Sequence, residues 1–373
     1  RRMVEHMTDS DPELLVAGEA LIDFLPDSPG PLAGVENFSR RAGGAPANVA
    51  VGLARLDAAP WFWTRVGEDP FGDLLAETLA SFGVPDRFVE RDADAKTALA
   101  FVSHDADADR AFTFYRDGTA DTRVEPGGVP DETLDSVSWV YVGGVMLAAD
   151  PGRTATLDLA ERASERDCTV VFDPNARPEL WDSEAKFAEE VREMLSHADV
   201  VKATPEDLAA AGFDGEEDGA GEEDGAGEED EANGESGANA EDGANEEGGD
   251  SPEALAAAVT DAGPHTVLLT LGDSGAFARS TDAAPWGPGA ASHSGNEVES
   301  VADTTGAGDA FTAGALAAFA TGTDERASAT ADPTDLSLSA LLGFANAVAA
   351  VTTTASGAMT ALPTREEVRR FRE

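Results

Sequence analysis

The feature that most constrains the fold of this 373-residue chain is a series of short apolar runs that alternate with helical patterns. Strands separated in this way by helices usually form a parallel sheet that helices cover on both faces. The sequence therefore predicts an α/β protein with three α/β/α layers around a doubly wound, mostly parallel sheet. The runs lie at residues 14–17, 61–66, 139–142, 169–173, 200–202 and 266–271.

Three further segments alternate apolar and polar side chains, which is typical of strands with one covered face. The segments are residues 20–25, 97–103 and 110–116. The last two are joined by residues 105–109, an alternation of Asp and Ala that predicts a hairpin connection. We predict a small β-sheet lid, built from residues 18–40 and 92–123, that closes over the substrate and excludes water.

A glycine-rich turn precedes a predicted helix in the stretch DTTGAGDAFTAG, residues 303–314. The first turn of a helix presents amide N–H groups without partners, and glycines let a phosphate approach them closely. The amides of Gly306, Ala307 and Gly308 are therefore predicted to form an anion hole. Asp309, in the same turn, is predicted to take the proton of an attacking hydroxyl. The alternative is a simple turn with an Asp at the start of a helix.

A second glycine-rich helix start, GGAPANVAVGLARL, occupies residues 43–56 and is followed by RVGEDPFG at residues 65–72. Together with DTTGAGDAFTAGAL at residues 303–316, these stretches resemble the paired signatures of the ribokinase-like (PfkB) family of sugar kinases. The resemblance runs from about residue 14 to residue 363 with one insert. It implies a single kinase domain over residues 12–373 that transfers the γ-phosphate of ATP to a sugar.

The resemblance also implies a set of sugar-binding residues. Asp23 matches the aspartate at the base of the family's lid, and Asn48 belongs to the N-terminal signature with its two glycines. Carboxylates accept protons from two hydroxyls and amides both donate and accept, so such groups can read hydroxyl positions. The alternatives are an exposed charge at a strand end for Asp23 and a local helix hydrogen bond for Asn48. The predicted sugar contacts in these segments are Asp23, Gly43, Gly44 and Asn48.

The stretch DPNARPELW, residues 173–181, is similar to the pattern of fructokinases and 2-keto-3-deoxygluconate kinases within the family. It adds Asn175 and Arg177 to the predicted sugar contacts, and the resemblance of Phe114-Tyr115-Arg116 to a lid strand adds Arg116. The two arginines would bind sugar oxygens or a substrate carboxylate. The alternative for both is a surface salt bridge. The stretches GEALIDF and GGAPANVA favour fructokinase.

For the nucleotide, the stretch TLGDSGA at residues 270–276 resembles the family's phosphate-side element, and Asn346 matches a position near the adenine. A local hydrogen bond within its helix, residues 340–351, is the alternative for Asn346. No Walker-type lysine is present, so Mg²⁺ is expected to neutralise the phosphates. The predicted nucleotide contacts are Lys202, Thr204, Thr270, Gly272, Gly275 and Asn346.

Two metal sites follow from the resemblance. Where the family commonly has Asn-x-x-Glu to support Mg²⁺ through water, this chain has Thr204 and Asp207, so a rearranged water shell is expected. The second site is a monovalent cation site, which a potassium ion would fill beside the anion hole. The residues that match it are Asp303, Thr305, Ser356 and Gly357.

The composition indicates a salt-loaded cytoplasm such as that of a haloarchaeon, because 73 acidic residues face 25 basic ones and the net charge is −48. In molar salt the Debye length is about 3 Å, so such a surface stays soluble without strong self-repulsion. Nucleic acid is excluded as a partner on charge. No run is long enough to span a bilayer and residues 1–10 lack the apolar core of a signal peptide, so a cytoplasmic protein is expected.

Residues 214–250 contain repeats of GEEDGA and are predicted to form a disordered acidic insert, since they cannot bury enough apolar surface to order. Cys168 is the single cysteine, which excludes an intramolecular disulfide. The natural start is expected at Met3 or Met7. The lid strands permit a homodimer, because exposed strands can pair between subunits.

The sequence thus predicts a kinase that phosphorylates a primary hydroxyl of a ketose, with O6 of fructose favoured. Three alternatives remain open at this point: a 2-keto-3-deoxygluconate kinase, a ribose or nucleoside kinase, and a sugar sensor without catalysis.

Overall fold

The computed structural model describes residues 11–28, 30–104, 110–213, 251–321 and 336–373. The predicted acidic insert at residues 214–250, the connection at residues 105–109 and the candidate starts Met3 and Met7 lie outside the described residues. Within the described ranges, no helix is both long and apolar enough to cross a membrane.

The central sheet has nine strands in the described residues, in the order β13-β12-β11-β10-β9-β8-β1-β4-β5. The seven strands from β11 to β5 run parallel, and β12 and β13 extend the sheet in antiparallel fashion. The strands are β1 (Leu14–Ala17), β4 (Trp61–Gly67), β5 (Val89–Asp92), β8 (Trp139–Gly143), β9 (Thr169–Asp173), β10 (Val200–Ala203), β11 (Thr266–Thr270), β12 (Ala276–Ser280) and β13 (Gly289–His293).

The six predicted strands of this sheet are confirmed, each ending within one residue of its predicted limit. Strands β5, β12 and β13 were not predicted.

A second sheet forms the predicted lid, in the order β3-β2-β6-β7. Its strands are β2 (Leu21–Pro26), β3 (Phe38–Gly43), β6 (Ala98–His104) and β7 (Arg110–Tyr115). Side chains alternate across this sheet, so that Leu21 and Asp23 lie on one face and Phe24 lies on the other, where its ring centroid is 5.8 Å from that of Phe71 in the main domain. Strand β3 leads directly into the glycine-rich helix start at residues 43–56. This connection joins the lid to the edge of the main sheet where the parallel strands end.

The helices of the described residues cover both faces of the main sheet, and each face has its own apolar core. They are α1 (Ala45–Arg55), α2 (Pro70–Ser81), α3 (Asp131–Leu134), α4 (Gly152–Ser164), α5 (Glu184–Leu195), α6 (Pro205–Ala210), α7 (Pro252–Asp261), α8 (Ala307–Thr321), α9 (Leu338–Thr353), α10 (Ala358–Ala361) and α11 (Arg365–Arg372).

Helices α1, α8 and α9 pack closely because small residues lie where they meet. A Cβ at Gly52 would lie 2.6 Å from the Cβ of Ala313, and a Cβ at Gly314 would lie 2.9 Å from the Cα of Ala345. Any larger side chain would therefore separate these helices. This contact brings the N-terminal turns of α1 and α8 together, at the edge of the sheet where the parallel strands end.

Candidate active site

A cavity of about 550 Å³ lies between the lid, the C-terminal ends of β9 and β10, and the N-terminal turns of α1 and α8. In open α/β sheets, ligands bind at this edge. Most of the predicted site residues line it. They are Asp23, Gly44, Asn48, Asn175, Arg177, Lys202, Thr204, Asp207, Thr305, Gly306, Gly308 and Asp309.

Asp309 and Asn48 are in direct contact at the base of this cavity. The Nδ2 of Asn48 donates to Oδ2 of Asp309 at 2.7 Å. Burial raises the pKa of Asp309, and the Asn48 hydrogen bond and the charges of Lys202 and Arg177 oppose that rise. The result is a carboxylate with one oriented oxygen and a pKa above its usual range, which suits a base that works near neutral pH.

The turn before α8 leaves three amides without a hydrogen-bond partner among the described residues: those of Gly306, Gly308 and Asp309. The amide of Ala307 differs from the prediction, because it already donates to the Thr304 carbonyl at 3.2 Å. Gly306 has a φ of +78°, a left-handed conformation that glycine adopts without strain. The free amides lie at the positive end of the 15-residue helix α8, where an anion is stabilised.

Lys202 places a positive charge beside this turn. A Cβ at Gly308 would lie 3.6 Å from the Lys202 Nζ, and the same Nζ donates to Oδ2 of Asp173 at 3.1 Å. Both side chains are buried. Burial alone would lower the pKa of Lys202, but the charges of Asp173 and Asp207 outweigh it and raise that pKa.

The sequence assigned no role to Asp173. Burial raises its pKa to about 6, against the opposing charge of Lys202.

The segment after β9 aims two predicted sugar contacts at the cavity. Asn175 has a φ of +43°, and its backbone amide donates to Oδ1 of Asp173 at 3.1 Å. Asparagine tolerates this left-handed conformation better than most residues, and such strain is often found at functional sites. The guanidinium of Arg177 lies 5.7 Å from the ring centroid of Phe112 on the lid, and it donates to the Ala176 carbonyl. Arg177 therefore spans from the main domain to the lid.

Asp23 lies where β2 crosses the cavity. A Cβ at Gly43 would lie 2.0 Å from the Asp23 Oδ2, so only glycine fits beside this carboxylate. Burial and the charge of Asp309 together raise the pKa of Asp23 to about 7, against the opposing charge of Arg177. Gly43 thus makes room for the Asp23 carboxylate, and it also lies just before the start of α1.

Glu19 lines the cavity although the sequence analysis gave it no role. Its side chain is 3% exposed, and its Oε1 accepts a hydrogen bond from the amide of Ala45, the first residue of α1, at 3.1 Å. The signal was present in the sequence, because a glutamate between two apolar strand segments in GEALIDF has no obvious place in a core.

Arg116 is not in the lining of the cavity, in contrast to its predicted role as a sugar contact. Its Nε donates to Oδ2 of Asp121 at 2.5 Å and its Nη1 donates to the Val145 carbonyl at 3.1 Å. Both members of the ion pair are buried. The arginine therefore joins the end of the lid strand β7 to the main domain.

Thr204 and Asp207 line the cavity but use their oxygens to begin α6. The Asp207 Oδ2 accepts from the Thr204 amide at 2.9 Å, and its Oδ1 accepts from the Ala176 amide at 2.8 Å. Across the described residues, no group of three or more His, Cys, Asp or Glu side chains is arranged to hold a metal ion. Both carboxyl oxygens of Asp207 are thus already engaged in hydrogen bonds within the protein.

The remaining predicted nucleotide contacts lie outside the lining of this cavity. The Thr270 hydroxyl approaches the Ala203 carbonyl at 3.4 Å, and the Nδ2 of Asn346 donates to the Leu342 carbonyl at 2.9 Å. The latter bond is the local alternative for Asn346. Gly272 and Gly275 have positive φ angles of +60° and +91°, and a Cβ at Gly275 would lie 1.9 Å from the His293 carbonyl oxygen.

The predicted monovalent cation segment forms a second, adjoining cavity of about 460 Å³. Asp303 holds it together, because its Oδ1 accepts from the Thr305 amide at 2.9 Å and its Oδ2 from the Gly357 amide at 3.2 Å. Asp303, Thr305 and Gly357 line this cavity, whereas Ser356 does not. The structure thus brings three of the four predicted residues together.

Comparisons with known proteins agree with this geometry. The profile of the pfkB family of carbohydrate kinases matches residues 11–223 and 226–365. Fructokinase-1 of Oryza sativa subsp. japonica is 33% identical, with 97% of this chain and 98% of the relative covered. The crystal structure of Xylella fastidiosa fructokinase with bound ATP has a TM-score of 0.74 at 30% identity, covering 96% of this chain and 97% of that one.

A double mutant of Vibrio cholerae fructokinase, in a form with bound fructose, ADP and potassium ion, has a TM-score of 0.72 at 29% identity, covering 98% of this chain and 100% of that one. The fold and the site define a phosphotransferase that acts on a sugar hydroxyl. More particularly, the chain belongs to the pfkB family of carbohydrate kinases.

Proposed function

We propose that this protein is an ATP-dependent fructokinase that transfers the γ-phosphoryl group of ATP to O6 of fructose. The observation that carries the proposal is the position of Asp309, whose carboxylate is held by Asn48 beside three amides that have no hydrogen-bond partner in the described part of the chain. A base and an anion hole in one helical turn are what a hydroxyl needs in order to attack a phosphoryl group. The fructokinase relatives support the choice of sugar.

In the proposed step, the sugar hydroxyl oxygen forms a bond to the γ-phosphorus while the bond from that phosphorus to the bridging oxygen of ADP breaks. The hydroxyl proton passes to Asp309, whose Oδ1 is free for it because Asn48 occupies Oδ2. The amides of Gly306 and Gly308 and the nearby Lys202 ammonium stabilise the charge on the transferring group. Closure of the lid excludes water as a competing acceptor.

The charges in the cavity favour a neutral sugar over 2-keto-3-deoxygluconate. Six carboxyl groups line it, those of Glu19, Asp23, Asp173, Glu206, Asp207 and Asp309, against the two cations Arg177 and Lys202. Lys202 is already bound to Asp173. A carboxylate on the substrate would therefore have Arg177 alone to balance it, whereas sugar hydroxyls can donate to the carboxylates.

We further infer that Mg²⁺ reaches the site with the phosphates of ATP, since Thr204 and Asp207 are engaged in capping α6. A potassium ion at the turn formed by Asp303 and Gly357 would stabilise the loop that carries the anion hole. The net charge of −48 supports an enzyme that works in concentrated salt. Replacing KCl by tetramethylammonium chloride at equal ionic strength should lower turnover, and equal turnover in both salts would contradict the potassium site.

Coupled ADP release with Mg-ATP in molar KCl tests the proposal directly. The acceptor panel is fructose, 2-keto-3-deoxygluconate, ribose and adenosine, and kcat/KM is expected to be highest for fructose. A higher value for the ketoacid would overturn the charge argument, because it would require carboxylate binding in a carboxylate-lined cavity. Sugar binding without ADP release from any acceptor would support a sensor.

A further inference from the structure

Glu19 occupies the connection between β1 and β2, where the chain leaves the main sheet for the lid. Its backbone is pressed against α1, since a Cβ at Gly44 would lie 2.5 Å from the Glu19 carbonyl oxygen. Its Oε1 is fixed by the Ala45 amide at 3.1 Å. The position of the side chain is thus set by two contacts, and neither uses the second carboxyl oxygen.

The second oxygen, Oε2, is buried and has no hydrogen-bond partner among the described residues. It faces the end of β8, where Gly143 contributes no side chain and a Cβ would lie 3.9 Å away. A buried carboxyl oxygen without a partner is costly, and few persist in folded proteins. Because Glu19 also lines the cavity, a ligand in that cavity is the group that can complete its hydrogen bonding.

The titratable groups that face Glu19 do not supply the missing partner. Tyr141 of β8 lies close enough for the Glu19 charge to act on it, but its hydroxyl is itself buried without a hydrogen-bond partner among the described residues. Arg116, which follows β7, uses its Nε on Asp121 and its Nη1 on the Val145 carbonyl. Burial raises the pKa of Glu19 to about 7; Arg116 opposes this rise and Asp121 adds to it. Near neutral pH the carboxyl group therefore carries a proton much of the time, and its oxygen can act as a donor.

We propose that the neutral carboxyl group of Glu19 donates a hydrogen bond from Oε2 to an oxygen atom of the bound sugar and so contributes to acceptor specificity. This inference rests on the proposed sugar kinase function and adds a contact to it.

The test compares Glu19→Gln with Glu19→Leu. Glutamine keeps an oxygen for the Ala45 amide and offers N–H where the acid offers O–H, whereas leucine offers neither. We expect Glu19→Gln to keep the KM for the sugar within about threefold of wild type and Glu19→Leu to raise it roughly tenfold, with the KM for ATP unchanged. An unchanged sugar KM in Glu19→Leu, or an equal loss in both variants, would overturn the proposal.

Deoxygenated sugars separate direct contact from an effect through α1. One monodeoxy analogue of the sugar should bind wild type roughly tenfold more weakly and bind Glu19→Leu no more weakly than the parent sugar does. If no analogue shows this coupling, Glu19 acts only on the helix start and the proposed contact is absent. The thermal unfolding temperature of Glu19→Leu separately reports the loss of the hydrogen bond to the Ala45 amide.

The pH dependence gives a third readout. In wild type, the KM for the sugar should rise above about pH 7, because deprotonation removes the donor, and Glu19→Gln should lack that part of the rise. The pKa of Asp23 is also about 7, but Asp23 is present in both wild type and Glu19→Gln. The difference between their two pH profiles of the sugar KM therefore reports Glu19. Wild type is assayed first, and the variants are then compared on the sugar that wild type phosphorylates or binds best. The role of Glu19 is therefore tested even if fructose is not the substrate.

Discussion

The Nδ2 of Asn48 donates to the Oδ2 of Asp309 at 2.7 Å and so joins the N-terminal turns of two helices that lie 261 positions apart in sequence. The close packing of α1 on α8, which Gly52 and Ala313 permit, makes this contact possible. The bond engages one carboxyl oxygen of Asp309, and Asp309 lines the cavity. The Oδ1 of Asn48 is itself buried without a partner among the described residues, so a sugar hydroxyl is the donor that fits it.

Asp309→Asn should bind sugar and ATP nearly as well as wild type and lose turnover by a factor of about 10²–10⁴, the usual contribution of a general base. The amide has nearly the same shape as the carboxylate, and its oxygen can still accept from Asn48. Single-turnover measurements separate the chemical step from product release. Turnover close to wild type would remove Asp309 from the role of base.

Asn48→Ala should lower kcat roughly tenfold and shift the acid limb of the kcat profile to higher pH. The Asn48 hydrogen bond lowers the pKa of Asp309, so its removal raises that pKa. Because the base must be ionised, activity is then lost at a higher pH as the solution is acidified. The loss relative to wild type should therefore be larger at pH 6 than at pH 8.

Asn346→Ala is the matched control, since it removes another buried asparagine, whose side chain donates to the Leu342 carbonyl of its own helix. We expect it to lower the free energy of unfolding by about 1 kcal/mol with the pH profile unmoved. An increase in the KM for ATP in this variant would instead support the predicted nucleotide contact. An acid limb that stays in place in Asn48→Ala would show that the bond to Asp309 does not tune the base.

The two arginines that the sequence treated alike should respond differently to substitution. Arg116→Met leaves Asp121 buried without its partner, so the free energy of unfolding should fall by about 3–5 kcal/mol. Arg177→Met should leave stability nearly unchanged and raise the KM for the sugar roughly tenfold, because Arg177 lines the cavity. Chemical denaturation and steady-state kinetics check both outcomes.

The double variant Arg116→Met with Asp121→Leu is the control for Arg116, because it removes both charges and should recover much of the lost stability. If the double variant is stable and its sugar KM remains at the wild-type value, Arg116 has no direct role in binding. A stable Arg116→Met protein with a large rise in sugar KM would restore the sequence-based prediction.

Much of the fold could be predicted from the sequence because the central parallel strands are continuous apolar runs. The strands that escaped prediction are those with weak patterns. Strand β5 reads VERD and β13 reads GAASH, and neither contains enough large apolar residues to stand out. Pairing with an existing sheet edge, rather than local preference, determines that these segments are extended.

The site was predicted less completely than the fold, because motifs identify residues and not their partners. Lys202 was expected at the nucleotide, but its bond to Asp173 depends on the register of β9 and β10. Arg116 and Arg177 are the same residue type, so the sequence could not show that Arg116 pairs with Asp121 while Arg177 lines the cavity. Glu19 was missed because the matched motif marks Asp23 and not the glutamate before it, although a glutamate between two apolar strands was itself a signal.

The face of the lid sheet that bears Phe24 carries an aromatic cluster that predicts a homodimer in concentrated salt. Phe101 stacks on Phe24 with ring centroids 4.8 Å apart and contacts the rings of Phe38 and Tyr115 at 5.4 Å each. Tyr115 is 61% exposed. Tyr115 ends the edge strand β7, and an exposed aromatic ring beside an open strand edge favours association with a second copy of the chain.

Salt should control this association because the chain carries a net charge of −48. Two such molecules repel at low ionic strength, and molar KCl screens that repulsion while the apolar contact persists. We therefore expect sedimentation in molar KCl to show a dimer that dissociates on dilution into low salt. Tyr115→Glu should give a monomer in molar KCl, whereas Ser39→Glu, which adds the same charge to the opposite face of the lid sheet, should leave the dimer intact. If wild type is a monomer at high salt and high protein concentration, the aromatic cluster contributes to packing within the lid and not to association.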